Sequence, residues 1–309
     1  MRQPGLDQRV RLAAFTWLDA QRASHGDVIP WPTLLHGFEL DGERVSLLSQ
    51  QGIFKPRLCD LPLSIRTSTD GPYRDELRPD GTLSYAYRGT DPAHRDNVGL
   101  RRAMETRTPL IYFFGILAGR YLAVWPVFIV GDDPRMLVFK VEVDDPRVVV
   151  DRLAADGGDR AVADPSRDES RRRYITATVR RRVHQEAFRE RVLHAYQVHC
   201  ALCHLRHHEL LDAAHIIPDT EDGGEPVIPN GLALCKLHHT AFDRHFLTVR
   251  PDYVIQVRQD VLDEEDGPML LHGLQGMHDQ RIRLPRARRD WPDPDRLAER
   301  WRRFQESHP

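Results

Sequence analysis

The residues of this chain whose types and spacing could do chemistry fall between Tyr196 and Leu247. Cys200 and Cys203 form a C-x-x-C pair, and Cys235 and His238 form a C-x-x-H pair about thirty residues later. Two short knuckles of this kind are an ordinary way to hold a tetrahedral zinc with thiolate and imidazole ligands. His239 follows His238 directly, so either could supply the fourth ligand; the C-x-x-H spacing favours His238. His204, His207 and His208 lie in a polar stretch beside the first knuckle and read as solvated. His215 in Ala-Ala-His-Ile-Ile-Pro, Asn230 in Pro-Asn-Gly-Leu, and His239 are then left over, since a zinc clamp requires none of them.

That order of His, Asn and His inside a zinc-clamped segment of about fifty residues resembles the HNH endonucleases of restriction type. The resemblance implies a ββα-metal core, in which a hairpin and a helix carry a divalent cation. It implies His215 as the general base, Asn230 as the residue that shapes the loop and orients that base, and His239 as a ligand of the catalytic cation. Many members carry an Asp or His directly before the base as a further ligand, whereas here Ala214 stands there. Asp212 and Asp243 are the nearby alternatives.

Phosphodiester hydrolysis needs an activated water, a cation on the phosphate and stabilisation of the leaving oxygen. A histidine near its reference pKa can accept the water's proton, and one divalent ion (Mg²⁺, Mn²⁺, Co²⁺ or Ni²⁺) can serve as Lewis acid and template. Asp243 lies four residues after His239, so on a helix the two share a face. Asp212 lies three residues before His215, and on a strand it points to the opposite side. The spacing therefore favours Asp243. Asp219 to Glu225, with Gly223-Gly224, reads as a loop between base and asparagine, and Asn230-Gly231 as a turn that returns the chain. A hairpin and helix this small cannot hold such geometry by apolar burial alone. A structural Zn²⁺ supplies on the order of 10 kcal/mol of folding free energy at such sites.

The elements that must position these residues are embedded in a chain of 309 residues, long enough for two domains. The formal net charge is −2, which excludes a globally basic nucleic-acid binder and leaves only local basic faces. Three of the four cysteines belong to the knuckles and Cys59 is left over, the usage of a reducing cytoplasm rather than of a secreted disulfide protein. No signal-peptide pattern and no apolar run of membrane-spanning length is present.

The expected fold class is α+β, with a β-rich domain over 1–150, a linker over 151–170 and a zinc-clamped ββα-metal domain over 171–309. Leu6, Val10, Ala13, Ala14, Trp17 and Leu18 have the spacing of one buried helical face. Asp41-Gly42 is a hairpin turn between Phe38-Glu-Leu and Arg44-Val-Ser-Leu-Leu, and Asp80-Gly81 is a second turn. Pro109-Leu-Ile-Tyr-Phe-Phe reads as a strand buried on both faces. The segment Leu83-Ser-Tyr-Ala-Tyr-Arg-Gly-Thr-Asp-Pro, with Asn97-Val-Gly-Leu-Arg-Arg-Ala, is faintly similar to modified-cytosine reader domains of the PUA-like barrel class. That similarity implies Tyr85 or Tyr87 stacking on an extruded base, with Asp91 reading its edge.

Arg171, Arg172, Arg173 and Arg180, Arg181, Arg182 form two triplets on an expected helix that leads into the first knuckle. They suit a phosphate backbone, or equally a solvated face paired with Glu186 and Glu190. Together these features resemble bacterial restriction enzymes, including those that cut modified DNA. They imply a cytoplasmic nuclease of double-stranded DNA, with a homodimer serving double-strand cleavage. The rival readings are a non-catalytic zinc-stabilised DNA-binding protein, and an HNH nuclease of structured RNA or of a mobile element. The His, Asn and His together argue against the first rival, because a pure binder needs none of them.

Overall fold

The computed structural model describes residues 5–67, 82–147, 149–150, 165–265 and 267–307. The chain divides into two units, Met1–Glu186 and Ala187–Pro309. Among the described residues no helix is long and apolar enough to cross a membrane.

The N-terminal unit opens with helix α1 (Leu6–His25), whose buried side chains are Val10, Arg11, Ala14, Phe15 and Leu18. The expected apolar stripe is therefore shifted, with Leu6 exposed and a charged residue in the core. Arg11 is tolerated there because every arm of its guanidinium is used. Nε donates to Asp7 at 2.6 Å, Nη1 to the carbonyls of Pro62 and Pro109 at 3.0 and 2.8 Å, and Nη2 to Leu61 at 3.2 Å. Strand β1 (Val28–Pro30) and the short helix α2 (Trp31–His36) follow, and then the hairpin of β2 (Phe38–Leu40) and β3 (Glu43–Val45). Its turn is the expected Asp41-Gly42, and both residues take positive φ (52° and 79°) as a two-residue hairpin turn requires.

The main sheet contains β1, β4 (Ile53–Phe54), β5 (Ser64–Arg66), β6 (Leu83–Ala86), β7 (Leu110–Leu117), β8 (Arg120–Asp133) and β9 (Val138–Val143). Its order is β4-β5-β7-β8-β9-β6, with β1 also paired to β8. The pairing of β5 with β7 is parallel and the others are antiparallel. Strand β7 lies between β5 and β8, which is why its first four residues are buried on both faces as the apolar run predicts. The sheet curls into a half-barrel: the hydroxyl of Tyr85 on β6 reaches the Arg66 carbonyl on β5 at 3.5 Å. Among the described residues β4 and β6 stand at the two ends of the strand order. The β-rich expectation for this unit is met by a curled half-barrel sheet among the described residues. The expected turn at Asp80-Gly81 lies outside the described residues. Helix α3 (Arg95–Glu105) packs on β8.

Helix α4 (Pro165–Ala195) begins inside the expected linker, whose residues 151–164 lie outside the described ones. The division between the units falls within this helix, after Glu186. Its first part is tied to the N-terminal unit: Thr176 accepts the Val143 N–H at 3.0 Å, and Arg171 and Arg172 pair with Asp144 and Glu142.

In the C-terminal unit, strands β10 (Leu211–His215) and β11 (Gly231–Cys235) pair antiparallel, and helix α5 (Lys236–Asp243) starts where β11 ends. The hairpin of β12 (Leu247–Val249) and β13 (Ile255–Val257), the short helices α6 (Gln259–Asp263) and α7 (Pro268–Gly273), and the terminal helix α8 (Pro294–Ser307) surround this core. The Asp293 carboxylate caps α8 by accepting the Asp295 N–H at 2.8 Å, as the Asp-Pro signature predicts.

Replacing Arg11 with Ala should lower the stability of the N-terminal unit by about 3 kcal/mol, because three carbonyls and Asp7 lose a shared buried donor. The check is the urea midpoint of the full chain, and an unchanged midpoint would contradict this account of the core.

Candidate active site and zinc cluster

Cysteine and histidine converge where the hairpin meets helix α5. Cys235 is the last residue of β11 and faces Leu211 across the hairpin, and His238 lies in the first turn of the helix. Cys200 and Cys203 are brought to them by a tight knuckle in which Cys200 N–H donates to Leu205 O and Ala201 N–H to Ala233 O. The ligand atoms of Cys200, Cys203, Cys235 and His238 all lie within 4.8 Å of one another. Tetrahedral zinc, with Zn–S about 2.3 Å and Zn–N about 2.0 Å, separates two sulfurs by about 3.8 Å and a sulfur from a nitrogen by about 3.5 Å. The observed separations are 3.9 Å for Cys203 to Cys235, and 3.4 and 3.2 Å from His238 Nδ1 to Cys200 and Cys235.

The tautomer fits as well. His238 Nε2 donates to the Gly273 carbonyl at 2.7 Å, which leaves Nδ1 as the lone pair facing the sulfurs. The three thiols share protons: hydrogen bonds from Cys200 and Cys203 push Cys235 toward its thiolate, and those to Cys200 and Cys235 push Cys203 toward its protonated form, so a metal must displace protons to bind all three. The cluster can therefore hold a zinc ion, and His238, not His239, is its histidine. His204, His207 and His208 lie outside it.

His215 ends β10 opposite Gly231. Its imidazole is stacked on the Phe188 ring of helix α4, with centroids 3.9 Å apart and planes 16° from parallel. Its Nε2 is buried without a hydrogen-bond partner. Burial holds the His215 pKa below its usual 6.5; nearby His239 adds to this, and Asp219 and Asp243 oppose it. The ring is thus kept neutral, as a proton acceptor must be.

Asn230 is fully buried, and its side-chain hydrogen bonds go to Ile217 and Glu225 rather than to His215. Its Oδ1 accepts the Ile217 N–H at 2.9 Å while its Nδ2 donates to the Ile217 and Glu225 carbonyls at 3.0 and 3.2 Å. A single amide thereby fixes the chain two residues after His215 and closes the loop that returns to β11. Gly231 is needed for a reason the sequence conceals. Its φ of −131° is ordinary, but a Cβ there would sit 2.5 Å from Val192 and 2.9 Å from Phe188. The expected turn role of this glycine is thus replaced by close packing under helix α4.

His239 lies on α5 between two carboxylates. Nδ1 is 3.5 Å from Asp212 and Nε2 is 3.3 Å from Asp243. Both raise its pKa, the bond to Asp212 most. Burial works to raise the Asp212 carboxyl, yet His239 and Lys236 together overcome it and hold the group well below the usual carboxylate range. Asp212 does leave its strand on the side away from His215, but helix α5 packs on that side, so both aspartates reach His239.

The remaining candidates lie in the N-terminal unit and are occupied within it. Tyr85 is 5% exposed and packs edge-on against Tyr112; Tyr87 is 2% exposed, stacks on Phe139 and bonds Asp132. The expected stacking on an extruded base is corrected here: neither ring presents a free face. Asp91 is exposed and accepts the Ala93 N–H, a turn contact. Arg171, Arg172 and Arg182 are paired with Asp144, Glu142 and Asp27, while Arg181 is exposed. The side chains of Arg173 and Arg180 lie outside the described residues.

Elemental analysis should find about one zinc per chain, and Cys235→Ser should lose it together with the cooperative unfolding of the C-terminal unit. A variant that keeps both its zinc and its melting temperature would remove Cys235 from the ligand set.

Comparison with known proteins agrees with the assignment of the central segment. Residues 200–250 match the family model described as HNH endonuclease. No curated protein matches the chain in sequence. Among solved structures, a modification-dependent TagI restriction endonuclease is 16% identical, with a TM-score of 0.31, over 79% of this chain and 81% of that one. The type IV phosphorothioation-dependent restriction endonuclease ScoMcrA is also 16% identical, with a TM-score of 0.24, over 84% of this chain and 55% of that one. With Cys200 and Cys203 at its start and His215, Asn230 and His239 within it, the segment 200–250 is an HNH endonuclease domain.

Proposed function

We propose that the protein is a metal-dependent DNA endonuclease in which His215 is the general base. The observation that carries this is a buried imidazole whose Nε2 has no hydrogen-bond partner among the described residues, held by Phe188 and by the Asn230 loop. A histidine kept only for packing would have that nitrogen satisfied. His239 and Asp243, one helical turn apart on α5, would hold the catalytic cation. The imidazole of this pair suits Co²⁺ or Ni²⁺ and the carboxylate suits Mg²⁺ or Mn²⁺, with waters and substrate phosphate completing the shell. The cation would supply Lewis acidity at the scissile phosphate. Around it, His215 accepts the proton of the attacking water, Asn230 keeps the base in register, and Phe188 limits the tilt of its ring.

The chemistry-bearing residues all lie beyond Cys200, while the N-terminal unit contains no cluster of three or more metal-ligating side chains among its described residues. This division of labour supports a target-selecting role for that unit, with modified double-stranded DNA as the target class. Cleavage of methylated, hydroxymethylated, phosphorothioated and plain duplexes by the full chain tests it. Equal rates on all four would remove the modification from the reading and leave the nuclease.

His215→Ala should reduce single-turnover cleavage at least about a hundredfold with zinc content unchanged; wild-type rates would end the base assignment. The depressed His215 pKa also has a sign. The base form persists as pH falls through 6.5, so the acid limb of the pH–rate profile should have its midpoint below that value. A limb centred above 6.5 would point to a different titrating group.

A further inference from the structure

The two carboxylates beside His239 are not equivalent. Asp212 is already saturated: Oδ2 accepts from Lys236 Nζ at 2.8 Å, and Oδ1 accepts its neighbouring Ala213 N–H at 2.9 Å and faces Arg189 Nε at 3.6 Å. Two full positive charges thus flank it before any divalent ion arrives. Asp243 is 56% exposed, and among the described residues its only ion-pair partner is His239. A divalent cation placed on Asp212 would have to displace an ammonium group or sit against it, a like-charge contact that disfavours binding. At Asp243 no Lys or Arg lies within ion-pair distance among the described residues, and Arg300 acts on it only from farther away.

Arg189 is itself held rigidly. Nη1 bonds Glu190, which is 4% exposed and also takes His208 Nε2 at 2.9 Å; Nη2 bonds the His208 and Leu211 carbonyls at 3.1 and 2.9 Å. The fork cannot turn away, so the face it offers to Asp212 is fixed.

We propose that Asp212 is a positioning residue, not a metal ligand: pinned by Lys236 and Arg189, it takes the Nδ1–H of His239 and so aims Nε2 at the cation position beside Asp243. This rests on the metal-dependent nuclease reading above. It reverses the role that nearness to the general base would suggest for Asp212, and it makes Arg189, on a helix outside the ββα core, part of the apparatus that orients the metal histidine. Metal-bound histidines commonly donate their second nitrogen to a carboxylate in this way, and loss of that partner typically costs 10–100-fold in affinity or activity.

The test uses the full chain with its zinc retained, titrated with Mn²⁺ and read by electron paramagnetic resonance, alongside plasmid cleavage. Asp212→Asn keeps an oxygen that accepts the Nδ1–H, so its Mn²⁺ affinity should stay within about threefold of wild type. Asp212→Ala should weaken it about 10–100-fold, and Asp243→Ala should weaken it more than either. Zinc content measured on each variant reports that the fold is intact, and the Asn variant preserves shape if the Ala variant does not fold. Asp212→Asn binding as poorly as Asp243→Ala would make Asp212 a ligand, and Asp212→Ala binding as well as wild type would show that it positions nothing. Either result would overturn the proposal while cleavage by the wild type kept the nuclease reading. A wild-type chain that neither binds Mn²⁺ nor cleaves would remove both.

Discussion

The convergence of three thiols and one imidazole at the junction of β11 and α5 is the constraint on which the C-terminal unit depends. Cys235 belongs to the hairpin and His238 to the helix, and they lie three residues apart. Any ion that binds both must fix the angle at which the helix leaves the strand. That angle decides where His239, the next residue, points. If the helix left at another inclination, His239 would lose Asp212, which lies on the partner strand opposite Leu234. A segment of eight helical residues is too short to hold its own direction in water. A metal held by this cluster would do for α5 what a large apolar core does for longer helices.

A second constraint comes from the other face of the hairpin. Gly231 leaves room for Phe188 and Val192 to press against the strand pair, and Phe188 then lies flat on His215. Helix α4 thus sets the ring of His215 through Phe188, and helix α5 carries His239 to Asp212. Alanine at 231 would push α4 outward by direct overlap with Val192 and Phe188. His215 would lose its stack even though none of its own atoms had changed.

Much of this was legible in the sequence, for a physical reason: the signals are local. The C-x-x-C and C-x-x-H spacings, the Asp41-Gly42 hairpin turn and the Asp-Pro cap of α8 each depend on a few adjacent residues. What was not legible depends on partners far along the chain. Arg11 sits at an apolar-face position of α1 because carbonyls about fifty and a hundred residues away accept from it. Strand parity correctly puts Asp212 on the side away from His215, yet says nothing of the helix that packs on that side. Gly231 looks like half of an Asn-Gly turn, and only the neighbouring helix shows that space, not φ, requires it. Tyr85 and Tyr87 alternate with small residues as rim aromatics would, but the curl of the sheet turns both rings into its packed interior.

The same distinction governs how the protein could engage DNA. Two arginine triplets on one helix read as a phosphate-binding stripe, yet Arg171, Arg172 and Arg182 are matched by Asp144, Glu142 and Asp27 of the same unit. A phosphate approaching these arginines must replace a carboxylate already in place, so the net gain per contact is smaller than for an unpaired cation. The near-neutral charge of the chain expresses this pairing throughout: 44 basic side chains against 46 acidic ones. Under the proposed DNA endonuclease reading, affinity for nucleic acid would arise where pairing is incomplete, and the centre around His215 and His239 is one such place. There His215 Nε2 is buried without a hydrogen-bond partner, and Asp243 has no Arg or Lys within ion-pair distance among the described residues. A cation bound at that carboxylate would itself become the local positive charge that draws the scissile phosphate, so that substrate affinity and catalysis depend on the same ion.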